Sequence, residues 1–174
     1  GYGNSTTIAF DVTDAETAKM VLLSLRETVG RRLRKDQVRI DSVSVSIRFY
    51  DLSSISHQCI LQTSTNITKE IYAAACRLFD ESWDGTPVRH LGVHTGHVSK
   101  DGANRQLSLF DHTDYEKLEK LDQAVDSIRQ KFGADSILRA SFLNQDNIDH
   151  MNGGISREKR TVDYSQIDLD HYSF

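Results

Sequence analysis

Residues 43–51 read VSVSIRFYD. In an extended chain Val43, Val45, Ile47 and Phe49 point one way and Ser44, Ser46, Arg48 and Tyr50 the other, because side chains on a strand alternate between faces. A period of two that separates branched apolar residues from small hydroxyls and a cation describes a strand with one buried face and one wet face. The fold built around it must cover one side of a sheet.

The residues on either side supply that cover. Upstream, Asn4 to Phe10 (NSTTIAF) is a short β-type run. Thr13-Asp14-Ala15-Glu16 then has the form of a capping box, with a hydroxyl at the cap and a Glu three positions on. Ala18, Leu22, Leu25, Val29 and Leu33 follow at helical spacing and form one apolar stripe. Arg26, Arg31, Arg32, Arg34 and Lys35 flank it, and basic residues near a helix C-terminus suit the macrodipole. Downstream, Asp51 to Ser54 reads as a turn and His57 to Thr63 (HQCILQT) as the second arm of a hairpin. Asn66 is placed to cap a second helix, with Ile71, Ala75, Leu78 and Phe79 inward, and Trp83 to Pro87 ends it. Val88 to Ser99 (VRHLGVHTGHVS) is a last strand, with Leu91 and Val93 toward the core and His90, Gly92 and His94 opposite.

The order is β-α-β-β-α-β. It predicts an α+β domain, a four-stranded antiparallel sheet with two helices on one face, followed by a helical extension. The other face is left to Ser44, Ser46, Arg48, His90, His94 and Gln58 or Gln62. Taken from the pattern alone, this surface is either a binding platform or merely a wet sheet.

Beyond it the composition changes. Residues 1–100 carry 12 Lys and Arg against 11 Asp and Glu, whereas residues 101–174 carry 9 against 14. We divide the chain accordingly: a domain over 1–100, a linker over 101–112, an amphipathic helical segment over 113–143 and a flexible tail over 144–174. A second capping box, Thr113 to Glu116, opens the helix. Tyr115, Leu118, Leu121, Val125, Ile128 and Phe132 form a seam that reads as its docking face, and Gly133 is its stop. The tail is polar, with a hinge at Asn152-Gly153-Gly154.

Several function classes drop out. No apolar run is long enough to span a membrane, and no signal-peptide pattern opens the chain. Cys59 and Cys76 read as reduced thiols, which with the rest points to the cytoplasm. No Walker or dinucleotide glycine loop and no CxxC pair is present. His90 and His94 share a strand face while His97 points away, and no carboxylate or Cys lies beside them in sequence, so no metal site is assigned. No pair of carboxylates has an acid–base arrangement, so no catalytic residue is assigned either.

The linker holds one further feature, Arg105 to Asp111 (RQLSLFD). Leu107, Leu109 and Phe110 are large apolar groups in a segment of connector character. Each is worth ~1.5–3 kcal/mol if buried. Either they fold back as a staple for the next helix or another protein covers them.

Gln106, Leu107, Ser108, Leu109 and Phe110 (QLSLF) resemble the pentapeptide by which bacterial DNA polymerases and repair proteins bind the sliding clamp. NSTTIAFDVTD, the Arg-rich end of the first helix, VSVSIRFYDL and PVRHLGV are similar to the C-terminal region of Y-family translesion DNA polymerases, the DNA polymerase IV type or ImpB/MucB/SamB family. LDQAVDSIRQKFGADSILRAS resembles the segment that follows the clamp motif in such proteins. The resemblance covers residues 3–143, and the pentapeptide's position just past the domain makes it specific.

The resemblance implies a little finger domain whose open sheet lies along the phosphates of duplex template–primer DNA. The implied contacts are Thr6 or Thr7, Ser44, Ser46, Arg48, Gln58, His90 and His94, suited to positioning DNA without reading its sequence. Arg often stands in the family where this chain has His90 and His94, which weakens the electrostatic grip. The resemblance further implies a parent nucleotidyltransferase acting in DNA repair and damage bypass. Its palm, fingers and thumb would complete the chain, and its palm would hold Mg²⁺ for dNTP chemistry. Nothing here matches the palm, and the start at Gly1-Tyr2-Gly3 leads us to expect a fragment without its own cofactor. The rival readings are a ferredoxin-like regulatory module that binds a small ligand or dimerises, and an adaptor that binds only the clamp.

Overall fold

A computed structural model describes residues 1–100, 111–144 and 147–151. Its elements run β1 (Gly3–Val12), α1 (Ala15–Lys35), β2 (Arg39–Phe49), β3 (Ser54–Thr65), α2 (Thr68–Ser82), β4 (Val88–Ser99) and α3 (Tyr115–Phe132), with a short 3₁₀ turn at Ala140–Phe142. The first six follow the expected order. All strands pair antiparallel, in the sheet order β1-β4-β2-β3.

The alternation over residues 43–49 holds: Val43, Val45, Ile47 and Phe49 are buried beneath the helices. The strand is longer than that signal, starting at Arg39 and ending before Tyr50, which opens the hairpin turn. Asp51 fixes that turn: its Oδ1 accepts from the Ser53 N–H at 2.9 Å and the Ser53 hydroxyl at 2.6 Å. The stripe Ala18, Leu22, Leu25, Val29 and Leu33 is fully buried, as are Ile71, Ala75 and Phe79, with Leu78 nearly so. Phe79 and Trp83 stack with ring centroids 5.2 Å apart where α2 ends. Cys59 and Cys76 are free thiols, both half-buried.

The caps differ from expectation in an instructive way. In both capping boxes the residue after the Thr does the work. Asp14 accepts from the Thr17 N–H at 2.8 Å, and Asp114 from the Lys117 N–H at 3.0 Å. A carboxylate is a stronger acceptor than a hydroxyl for these orphan amides. Asn66 does not cap α2, whose N-cap is Ile67 without a side-chain bond. The Thr68 N–H donates instead to Oδ2 of Asp122 on α3, at 2.8 Å.

That contact introduces the largest departure from the sequence reading. α3 docks on the domain, but not by its apolar seam: Leu121 and Phe132 are 52% and 67% exposed. The buried face is the next one round, centred on Asp122 and Arg129. Arg34 of α1 reaches Asp126 with Nε at 2.6 Å and Nη2 at 3.1 Å, and Asp122 with Nη1 at 3.2 Å. Arg39 meets Glu119 at 2.5 Å, and Arg129 meets Glu27 of α1 at 2.8 Å. Burial pushes the Glu27 carboxyl up, but Arg26, Arg139 and Arg129 outweigh it and hold the group below the usual carboxylate range. Farther on, Phe142, Ile148 and Met151 are buried, with backbone carbonyls of Asp149 and Met151 accepting from the Ser24 and Thr28 hydroxyls. The stretch expected to be flexible from Asn144 therefore contains two buried anchors.

Replacing Asp14 with Ala is expected to cost about 1 kcal/mol in urea unfolding, and replacing Thr13 with Ala much less. Equal losses would restore Thr13 as the cap.

Candidate nucleic-acid interface

The open face of the sheet is ordered by strand register. Across β1, β4, β2 and β3 the facing positions fall into rows. Thr7, His90, Arg48 and Ser54 form one; Ser5, Gly92, Ser46 and Ser56 the next; Gly3, His94, Ser44 and Gln58 a third. A partial fourth row holds Gly96, Ser42 and Ile60. No carboxylate occurs in any row.

Of the eight positions expected on this face, seven are brought together: Thr7, Ser44, Ser46, Arg48, Gln58, His90 and His94. Thr6 is not among them. It pairs with Leu91, shares the core face of β1 and is 9% exposed, so alternation removes it from the site. Ser5, Ser42, Ser54 and Ser56 join the rows without having been singled out. Ser42 was within reach of the sequence, since it extends the Ser44–Ser46 period by one step. Ser54 and Ser56 follow only from the hairpin register. Gln106, Leu107, Ser108, Leu109 and Phe110 lie outside the described residues.

β4 sets the relief of the surface. His90, Gly92, His94 and Gly96 alternate along its open side, imidazole and gap in turn. The His94 ring lies across two glycines. A Cβ at Gly3 would meet its Nδ1 at 2.3 Å, and one at Gly92 would meet its Nε2 at 2.9 Å and Ser46 Oγ at 2.5 Å. A side chain at either position would have to displace the His94 ring, and at Gly92 the Ser46 hydroxyl as well. His94 Nε2 stands 3.5 Å from Ser46 Oγ, and His90 Nδ1 is 3.1 Å from Thr7 Oγ1. Arg48 Nε donates to Ser54 Oγ at 3.3 Å, which leaves most of the exposed guanidinium directed outward.

Burial, then the charges of Arg48 and His94, pushes the His90 imidazole below its ordinary value of 6.5. It is neutral at pH 7 and resists protonation. As pH falls below 6.5 the unfolded chain takes up a proton more readily than the folded one, so this group costs stability on the acid side. His97 stands apart, 3.0 Å from Asp41.

The chemistry on offer is hydroxyl and amide donors, one fixed cation and two titratable ones on a carboxylate-free plane. Such groups suit a chain of phosphates. Among the described residues no group of three or more His, Cys, Asp or Glu is arranged to hold a metal ion. Those described residues therefore offer no ligand set for the Mg²⁺ that the family resemblance implies. Among the same residues no helix is long and apolar enough to cross a membrane.

Residues 1–109 match the model of the impB/mucB/samB family C-terminal domain. The chain belongs to that family. It carries the family's C-terminal, little finger domain. Among curated relatives, "DNA polymerase IV" of Clostridium acetobutylicum is 36% identical over 143 residues, covering 82% of this chain and 36% of that protein. "DNA polymerase IV 2" of Bacillus subtilis is 40% identical over 146 residues, covering 82% and 34%. The chain thus spans about a third of the length of these family relatives. A solved complex of β-clamp processivity factor and the little finger domain of PolIV is 24% identical, with 63% of this chain and 97% of that one covered at a TM-score of 0.48.

In a proton NMR titration the His90 resonance is expected to have its midpoint below 6.5. Arg48→Ala should move it upward. A midpoint that ignores Arg48 would contradict the row that places the two side by side.

Proposed function

We propose that this chain is the DNA-gripping and clamp-binding portion of a translesion DNA polymerase that acts in repair and damage bypass. The observation that carries the first half is the open face itself, with hydroxyls, Gln58, Arg48 and two imidazoles in register and no carboxylate among them. The duplex lies on this plane by its backbone. Ser and Thr hydroxyls donate to phosphate oxygens and Arg48 pairs with them. Affinity from few full charges is weak and falls with salt.

The family membership supports the second half. Within it, QLSLF at Gln106–Phe110 is the clamp-binding peptide, with Leu109 and Phe110 as apolar anchors and Gln106 as the polar one. The relatives bear the name DNA polymerase IV. We therefore assign nucleotidyl transfer, dNTPs and Mg²⁺ to the palm, fingers and thumb of a parent chain working in the bacterial cytoplasm. The chain is then divided by role into a grip over 1–100, a hook within 101–112 and a helical segment from 113. A ferredoxin-like regulatory module would need an apolar ligand surface on the sheet. Only Ile60, at the β3 edge, has that character within the rows.

Arg48→Ala is expected to weaken duplex binding alike for all sequences, and to lower the slope of log K against log salt by about one. Loss confined to particular sequences would contradict backbone recognition. Because phosphate favours the imidazolium form, the His90 imidazole should take up its proton more readily with DNA bound, so wild-type affinity should rise as pH falls from 7.5 to 6 and a His90→Gln variant should show a smaller rise. For the hook, the whole chain titrated against bacterial sliding clamp should bind, and Leu109→Ala, Phe110→Ala should not. Equal binding by both versions would remove the peptide's role and leave the sheet reading intact.

A further inference from the structure

The helical side of the molecule holds a second concentration of positive charge. Arg31, Arg32, Arg34 and Lys35 end α1, and Arg39 opens β2. Macrodipole preference accounts for basic residues at that helix end but not for what meets them. α3 presents Glu119, Asp122 and Asp126 at i, i+3 and i+7, on one side of the helix. They land on Arg39, on Arg34 with the Thr68 N–H, and on Arg34 again in a two-point contact. A row of anionic groups seated on guanidinium forks and a free helix N-terminal amide is also how phosphates are held.

Two observations suggest that this seat has another occupant. First, α3 turns its carboxylates inward and leaves Leu121 and Phe132 in water, the reverse of what a permanently packed helix does. Second, the seam is not filled. A cleft of about 490 Å³ opens beside it between Arg31, Arg34, Lys35, Gln123, Asp126 and Gln130. Another of about 330 Å³ adjoins it, sharing Arg34 and Gln123 and lined further by Gln37, Arg39, Asn66 and Lys100. Arg31 and Lys35 have no side-chain hydrogen-bond or ion-pair partner among the described residues. Neither cleft has an apolar lining residue. An apolar-lined cleft of about 430 Å³, among Met20, Leu23, Ile67, Tyr72, Leu118 and Leu121, lies on the opposite side of Asp122; the two polar clefts, lined by Arg and Lys, suit instead the repeating negative charge of a sugar–phosphate strand.

We propose that the seam between α1 and α3 is a second nucleic-acid site, on the side of the domain away from the open sheet face, that takes the backbone of a single strand, and that α3 is its internal acidic occupant. Strand binding displaces Glu119 and Asp126 from Arg39 and Arg34, and joins those cations to Arg31 and Lys35 in one track. The partition is electrostatic, so salt loosens both the internal contact and the strand.

The test measures anisotropy of a fluorescein-labelled oligothymidylate on the 174-residue chain. Glu119→Gln, Asp126→Asn leaves the Asp122 cap in place and is expected to tighten binding about five-fold or more, with a steeper salt slope. Glu81→Gln, Glu116→Gln removes the same charge elsewhere and is expected to change little. The gain should survive Arg48→Ala, which disables the sheet face, and vanish with Arg31→Gln, Lys35→Gln. Amide exchange over residues 115–132 should quicken when the oligonucleotide is added to wild type. No gain, the same gain in the control pair, or a gain abolished by Arg48→Ala overturns the proposal.

Discussion

The register of β2 against β4 is the constraint on which the rest depends. Val45 lies opposite Val93 and Ser46 opposite Gly92. A slip of one residue would send Val43, Val45 and Ile47 into water and bring the serines and Arg48 under the helices. Register is strongly specified because it is paid in apolar area on one side only: the helices α1 and α2 cover Leu91, Val93, Val45 and Ile47, all of them buried. The interface is thus the obligate reverse of the core. Ser44 and Ser46 are held on the open face by Val43, Val45 and Ile47, each buried one position away.

Much of this was legible because it is local. Alternation over Val43–Phe49 and the helical stripe Ala18 to Leu33 each report a single element's own period, and both survive in the structure. Thr6 was misplaced for a related reason: two adjacent threonines on one strand cannot share a face, and only the pairing of Thr6 with Leu91 says which of them is outside. Ser54 and Ser56 escaped because a row across a sheet is a property of pairing, invisible within any one strand. Both capping boxes were recognised one position early, since the competition between a Thr hydroxyl and the next residue's carboxylate turns on geometry rather than on the motif.

α3 illustrates a different limit. Its apolar period was real, and a period of that kind ordinarily marks the docked side. The helix instead docks by charge, through Arg34, Arg39 and Glu27, whose partners Asp122, Asp126, Glu119 and Arg129 lie 80 to 102 residues away in sequence. A sequence shows that these charges exist but not that they are shielded together. The side chains of Arg129 and Glu27 are each 3% exposed, and such a pair adds little net stability while it is whole. Cutting Glu27 from it costs about 3–5 kcal/mol, because the buried Arg129 and Arg26 lose the carboxylate they share. Electrostatic docking of this kind fixes where a helix sits without binding it as tightly as a greasy seam would.

Asp122 carries a consequence for how the chain comes into being. The first free amide of α2, on Thr68, finds its acceptor 54 residues later. At a ribosomal pace of roughly 5–20 residues per second, α2 must wait about 3 to 11 s for that carboxylate to emerge. From the synthesis of Ser99, which completes β4, to that of Asp122, the nascent sheet has all four strands while one of its covering helices still begins ragged. Completion of the first turn of α2 is thereby tied to synthesis of the segment that follows the domain.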